Sequence, residues 1–257
     1  MQKYQQLILF TLLFCLVFSL ACSHKNPAPI EEWENQYPPI FVHKPIQIPE
    51  LLRLSPDSMA QVVVGYVDMF NETEKYVPLL NPSADSSLPE YTITESGPPW
   101  VQSWKAKEGF LILLFITGNE YRYNWELKFW GQDSVKNKFY DKWIFVTASN
   151  DFEGNNGSIE LHNESSTNSN SRYSWHSNPS AVQNYRSFQL LKYTESTIDL
   201  LVDMTFDYDL SGELLKYYLG EEQIYVEFKF SWNSFGKGEW LRYNEDGEII
   251  QSGSWHY

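Results

Sequence analysis

From about residue 91 to the end of the chain, apolar and polar side chains alternate one for one. YRYNWELKF places Tyr121, Tyr123, Trp125, Leu127 and Phe129 on one side of an extended chain and Arg122, Asn124, Glu126 and Lys128 on the other. STIDLLVDMTFDY does the same with Ile198, Leu200, Val202, Met204, Phe206 and Tyr208. QIYVEFKFSW repeats it with Ile224, Val226, Phe228, Phe230 and Trp232. A period of two marks strands that bury one face. Turn residues punctuate the pattern: Gly118-Asn119 follows FLILLFIT, and NEDG separates GEWLRY from EIIQSGSW. The spacing predicts about ten or eleven strands in an antiparallel meander. So many strands with a single apolar face must curl or close to bury it. The expected fold is therefore mainly β with a minor α part: a barrel or half-barrel, or, as the alternative, a two-sheet sandwich.

One stretch has a different period. Met59, Val62, Val63, Tyr66, Val67 and Phe70 recur at three and four, behind Ser55-Pro56-Asp57. Serine at the N-cap, proline at the first position and an acid near the positive end of the dipole make a helix start. One helix is expected over about 56–70, reaching 76 at most and ending before Pro78, packed on the strands. Upstream, Pro27, Pro29, Pro38, Pro39, Pro45 and Pro49 forbid a long helix and favour extended chain. That chain is polar to about Asn35. It becomes apolar from Tyr37, through Ile40, Phe41, Val42, Ile46, Ile48, Leu51 and Leu52, and this second part is expected to lie against the domain. The run NESSTNSNS over 163–171 is expected to be an exposed loop tip.

The chain opens with MQKYQQ and then LILFTLLFCLVFSLA. That apolar run is short for a membrane-spanning helix, which needs about 20 residues, and suits the apolar region of a secretory signal. Two processing routes fit. Ser19-Leu20-Ala21 satisfies the small-x-small rule of ordinary signal peptidase. The same border resembles the lipobox of bacterial lipoproteins, in which a small residue precedes an acylated cysteine, here Cys22, with Ser19 and Leu20 in the reverse of the usual order. The missing polar segment before Cys22, the proline-rich chain after it and the lack of any other cysteine beyond the leader favour lipid. That resemblance implies an exported protein anchored through Cys22 to the outer or cytoplasmic membrane; soluble secretion is the alternative. The expected organisation is a signal peptide over 1–21, a lipidated proline-rich tether over 22–54 and one β-rich domain over 55–257. One acyl chain binds only marginally, at ~0.8 kcal/mol per buried CH₂, so stable anchoring takes more than one.

Composition narrows the partners. The net charge is −14, and the leader carries Lys3 and no acid, so its removal makes the chain one unit more negative. Such a chain repels phosphate backbones and anionic lipid surfaces, which excludes nucleic acid as a natural partner. Aromatics make up 17% of the residues, which favours strands.

Catalytic and metal-binding patterns do not emerge. His24, His43, His162, His176 and His256 form no H-x-x-x-H pair and are expected at surfaces or strand ends. Asp199, Asp203 and Asp207 share a strand face, but acids four apart on a strand lie about 13 Å from each other, too far for a dyad. No cofactor is implied. Gly238-Glu-Trp240 and Gly253-Ser-Trp255 repeat at an offset of 15, with a fainter echo at Gly157-Ser-Ile159. They resemble the G-x-W repeats of MORN-type β-hairpins; a terminal hairpin explains the pair equally well. Two functions remain. A cup lined by Phe, Trp, Leu and Ile could hold a small apolar ligand or lipid, unless the same side chains simply fill it. Alternatively, exposed aromatics beside Asn and Asp could contact a glycan or a protein partner from a tethered surface module.

Overall fold

The computed structural model describes residues 38–82, 92–93, 99–119, 121–164, 169–181, 185–194, 197–221 and 223–256. Cys22 and His24 lie outside them. The described residues form thirteen strands: β1 (Thr92–Ile93), β2 (Trp100–Lys105), β3 (Leu111–Gly118), β4 (Arg122–Asp133), β5 (Lys138–Asp151), β6 (Asn156–His162), β7 (Ser169–Ser177), β8 (Arg186–Thr194), β9 (Thr197–Phe206), β10 (Gly212–Leu219), β11 (Ile224–Trp232), β12 (Gly238–Tyr243) and β13 (Ile249–Trp255). Every strand pairs antiparallel with its neighbour in sequence, in one sheet ordered β1 to β13. Among the described residues the edges β1 and β13 are not joined to each other, so the single sheet is a half-barrel and not a sandwich. Alternation places Trp125, Leu127, Val146, Ile159, Trp175, Phe188, Leu190, Val202, Met204, Phe206, Leu214, Phe230 and Trp232 on the buried face, as the sequence pattern requires.

Helix α1 (Glu50–Arg53) precedes the main helix, α2 (Ser58–Asn71), which continues through a 3₁₀ turn at Glu72–Tyr76 into α3 (Val77–Leu80). Two expectations shift. The N-cap is Asp57, whose carboxylate accepts from the N–H groups of Met59 and Ala60, and not Ser55. Pro78 does not stop the chain from turning, because it sits in the first turn of α3, where its missing N–H costs nothing. The buried stripe is Ala60, Val63, Val64, Val67 and Phe70, while Val62 is exposed. Phe70 meets Tyr173, Trp175 and Phe188 edge to face, with centroids 5.9, 6.4 and 5.0 Å apart. The helix thus occupies the concave side of the sheet.

Residues 38–49 form a strap that belongs to the folded unit Tyr37–Tyr257. Among the described residues its backbone has no strand partner, and three asparagines serve instead. Asn81 accepts from the Phe41 N–H at 2.7 Å and donates to the Phe41 carbonyl at 2.8 Å. Asn150 on β5 does the same for Val42 at 2.7 and 3.1 Å. Asn71, at the end of α2, does it for Ile46 at 2.7 and 2.9 Å. Each amide supplies the donor and acceptor that a buried peptide group requires. Phe41, Ile46 and Ile48 are buried beneath these clips, and Phe41 packs on Trp125 and Trp175.

A second device repeats along the sheet. Gly157 faces Trp175, Gly212 faces Trp232, Gly238 faces Trp255 and Gly253 faces Trp240, each directly across a strand pair. The indole lies over the bare glycine, a cross-strand pairing that uses the space a side chain would fill. Three of the indole N–H groups then reach the turn before the glycine: Trp175 donates to the Gly154 carbonyl at 3.3 Å, Trp232 to Leu210 at 2.9 Å and Trp255 to Gly236 at 2.7 Å. The glycine of each repeat therefore serves the tryptophan of the neighbouring strand. The strap and α1 pass these same three turns in order. Val42 lies against Gly154, Gln47 lines a cleft with Leu210, and Leu52 lies against Gly236.

Candidate ligand-binding face

The solvent side of the sheet has a feature that no single strand reveals. Pairing registers align Thr117, Asn124, Ser149, Ser158, Ser174, Gln189 and Asp203 in one row across β3 to β9. With neighbouring strands about 4.8 Å apart, the row runs about 29 Å. Its members are short and polar. Ser149 and Ser158 share a hydroxyl hydrogen bond at 3.0 Å, and Gln189 donates to Asp203 at 3.0 Å.

Two rows flank it, the first of them bulkier. Phe115, Glu126, Thr147, Glu160 and Arg172 lie on one side, and His176, Ser187 and Thr205 on the other. The row's short side chains beside the longer first row leave a shallow trough, and two hollows of about 380 and 460 Å³ sit along it. The first is lined by Phe115, Thr117, Asn124, Ser149, Ser158 and Arg172 among others, the second by Ser174, His176, Gln189, Asp203 and Leu215. The charges here are largely satisfied within the protein. Arg172 pairs with Glu160 at 3.2 Å and Lys128 with Glu126 at 2.5 Å. Tyr217, near Asp203, has its phenol pushed up to about 12, first by burial and then by the Asp203 carboxylate, so it remains a neutral hydrogen-bond donor.

The expected acylation site, Cys22, lies outside the described residues, and the aspartates and histidines set aside in the sequence are placed as follows. Asp203 joins the trough, Asp199 accepts from Thr194, and Asp207 lies past the end of β9. Among the described residues no cluster of three or more His, Cys, Asp or Glu could hold a metal ion. His162 shares a hydrogen bond with Thr147, His176 with Asn156 and His256 with Ser254, all near strand ends.

His43 departs from that pattern. Its ring is half-buried in the strap, 5.9 Å from Phe70 and 5.7 Å from Trp175, with Nε2 bonded to the Thr73 hydroxyl at 2.8 Å. Nδ1 is buried without a partner. Burial lowers the pKa of His43, and Glu74 opposes the shift. A histidine depressed in the folded state takes up a proton more readily when unfolded. Its stabilising contribution is therefore complete above the unfolded value, about 6.5, and is lost as pH falls through the folded one. Thermal melts between pH 7.5 and 5 should accordingly fall more steeply for the wild type than for His43→Gln; parallel curves would show that the ring does not couple to folding.

The trough was invisible in the sequence because it is a register, not a motif. Every member reads there as one polar position in an alternating strand. Compared with known proteins, the chain matches no family model and no curated protein.

Proposed function

We propose that this protein is an exported module, anchored by lipid at Cys22, that holds a neutral glycan strand along the outer face of its half-barrel. The observation that carries the reading is the row of hydroxyl and amide side chains from Thr117 to Gln189, ending at the Asp203 carboxylate, which floors two adjoining hollows. Hydroxyls and amides both donate and accept, as a sugar's hydroxyls require. Phe115 at one end adds an apolar ring beside them, with the Lys128 ammonium 4.9 Å from its centre. The net charge of −14 disfavours polyanions, which leaves neutral polymers as the favoured class. The concave side supports an apolar guest less well, because Phe41, Val63, Val64, Val67 and Phe70 already occupy it.

The test uses the chain without its leader on an array of neutral and acidic polysaccharides. Binding to a neutral polymer is expected, and Ser158→Tyr, which blocks the trough floor, should weaken it at least tenfold with the thermal melt unchanged. Silence across the array, or a folded Ser158→Tyr variant that binds as the wild type does, would overturn the reading. For the anchor, Cys22→Ala in the producing cell should move the protein from the membrane to the soluble fraction.

A further inference from the structure

A separate cleft opens on the other side of the sheet, where the strap crosses the ends of β8 and β9. It measures about 240 Å³ and is lined by Gln47, Tyr185, Arg186, Phe188, Phe206, Asp207, Tyr208 and Leu210. Its floor is apolar: Phe188 and Phe206 are buried and meet edge to face at 5.5 Å. Its rim is built from stacked planes. The Arg186 guanidinium lies 5.1 Å from the centre of the Tyr185 ring, and Tyr185 stacks on Tyr208 with centroids 3.8 Å apart and planes 20° from parallel. Tyr208 is held in turn by its hydroxyl, which donates to the Pro179 carbonyl at 2.9 Å.

Arg186 is the cation of this lining, and it forms no ion pair among the described residues. Most other half-buried basic side chains of the sheet do: Lys128, Lys138, Lys216, Lys229 and Arg242 each face a glutamate, and Lys192 does not. In a chain of net charge −14, an arginine held over a tyrosine ring in a cleft and not ion-paired, even with Asp207 in the same lining, is set apart from these pairs.

We propose that this cleft binds a small monocarboxylate with an apolar or aromatic body. A guanidinium offers a planar fork of donors that matches a carboxylate. Its partial desolvation against Tyr185 strengthens such a pair. Phe188, Phe206 and Leu210 provide the apolar surface for the body of the ligand, and the Gln47 amide borders it from the strap. The volume lies below the 300–1,000 Å³ usual for drug-sized ligands, which suits a molecule of roughly ten non-hydrogen atoms. Asp207 in the same lining, with the acidic chain around it, makes a second carboxylate unfavourable. The site is distinct from the trough, and the proposal does not depend on glycan binding.

Calorimetric and ligand-observed NMR titrations of the leaderless chain test it, with phenylacetate, phenylacetamide and phenylmalonate as probes. Phenylacetate should bind with a Kd on the order of 0.1–1 mM. The amide, which lacks the charge, and the dianion, which has one too many, should each bind at least tenfold more weakly. Arg186→Gln should weaken phenylacetate at least tenfold, and Arg186→Lys, which keeps the charge without the fork, by less. Gln47→Trp, at an exposed strap position, should close the cleft and abolish binding, so a poorly folding Arg186 variant does not leave the question open. Absence of saturable phenylacetate binding up to about 10 mM, equal affinity for the amide, or a folded Gln47→Trp protein that still binds would overturn the proposal.

Discussion

A chain that begins at Glu50 is expected to lose cooperative folding, while one that begins at Tyr37 should melt as a single unit. The two differ only by the strap, and the strap is structural. Removing it withdraws Phe41, Ile46 and Ile48 from the core. At about 1.5–3 kcal/mol for each fully buried side chain, that is roughly 5–9 kcal/mol, against a typical domain stability of about 5–15 kcal/mol. The loss extends further. Trp125, Trp175 and Phe70 would be uncovered, since Phe41 and His43 pack on them. Asn150, buried in β5, would lose both of its hydrogen bonds to Val42, and an unpaired buried polar group costs about 1–3 kcal/mol. Near-ultraviolet circular dichroism and tryptophan emission during thermal unfolding read the result directly. A synthetic peptide of residues 37–49 added to the shorter chain should restore part of the cooperative signal. If the chain from Glu50 melts within a few degrees of the longer one, the strap is only a passenger and the three asparagine clips are incidental.

The contrast between strap and sheet shows what a sequence can and cannot reveal. Alternation in β4, β9 and β11 is a local property, so the faces of Trp125, Val202 and Phe230 were legible from their immediate neighbours. The strand count fell short by at least two, one of them β1, whose two residues are too few to show a period. The helix was legible, but its phase was not. Val62, Val63 and Val64 are consecutive, and only contact with the sheet decides that Val64 turns inward while Val62 stays out. The apolar content of the strap predicted that it would pack against the domain. Its anchors could not be foreseen, because Asn71, Asn81 and Asn150 lie 25 to 108 residues from the peptides they hold. The trough has the same origin as the clips. It is made of pairings across seven strands, and a single-residue change in any register would carry that strand's member to the other face.

The glycine–tryptophan pairs lock the pairing of β6 with β7, β10 with β11 and β12 with β13, and this gives the second large effect. Gly238→Ala is expected to destabilise the protein by about 3 kcal/mol or more. A methyl group at 238 would fall on the Cζ2 and Cε2 atoms of Trp255 and on the Ser231 carbonyl oxygen. The carbonyl belongs to the paired strand β11 and cannot swing aside as a side chain can. Relief therefore requires both a shift of the paired backbone and a move of the Trp255 indole, which is buried and donates to Gly236 at 2.7 Å. Overpacking of this kind costs about 1–3 kcal/mol, and the broken hydrogen bond adds about 1 kcal/mol. For a domain of this size each kcal/mol shifts the midpoint by about 2–4 °C, so a fall of roughly 6–12 °C is expected. Gly65→Ala is the control. Gly65 is exposed in the middle of α2 with nothing within 4 Å of the added carbon, so alanine there should stabilise by about 0.5–1 kcal/mol through helix propensity alone. Opposite shifts for the same chemical change would establish that the glycine at 238 is kept for the indole across from it. A Gly238→Ala protein that melts with the wild type would mean that the indole has room to move and that the pairs do not set the register.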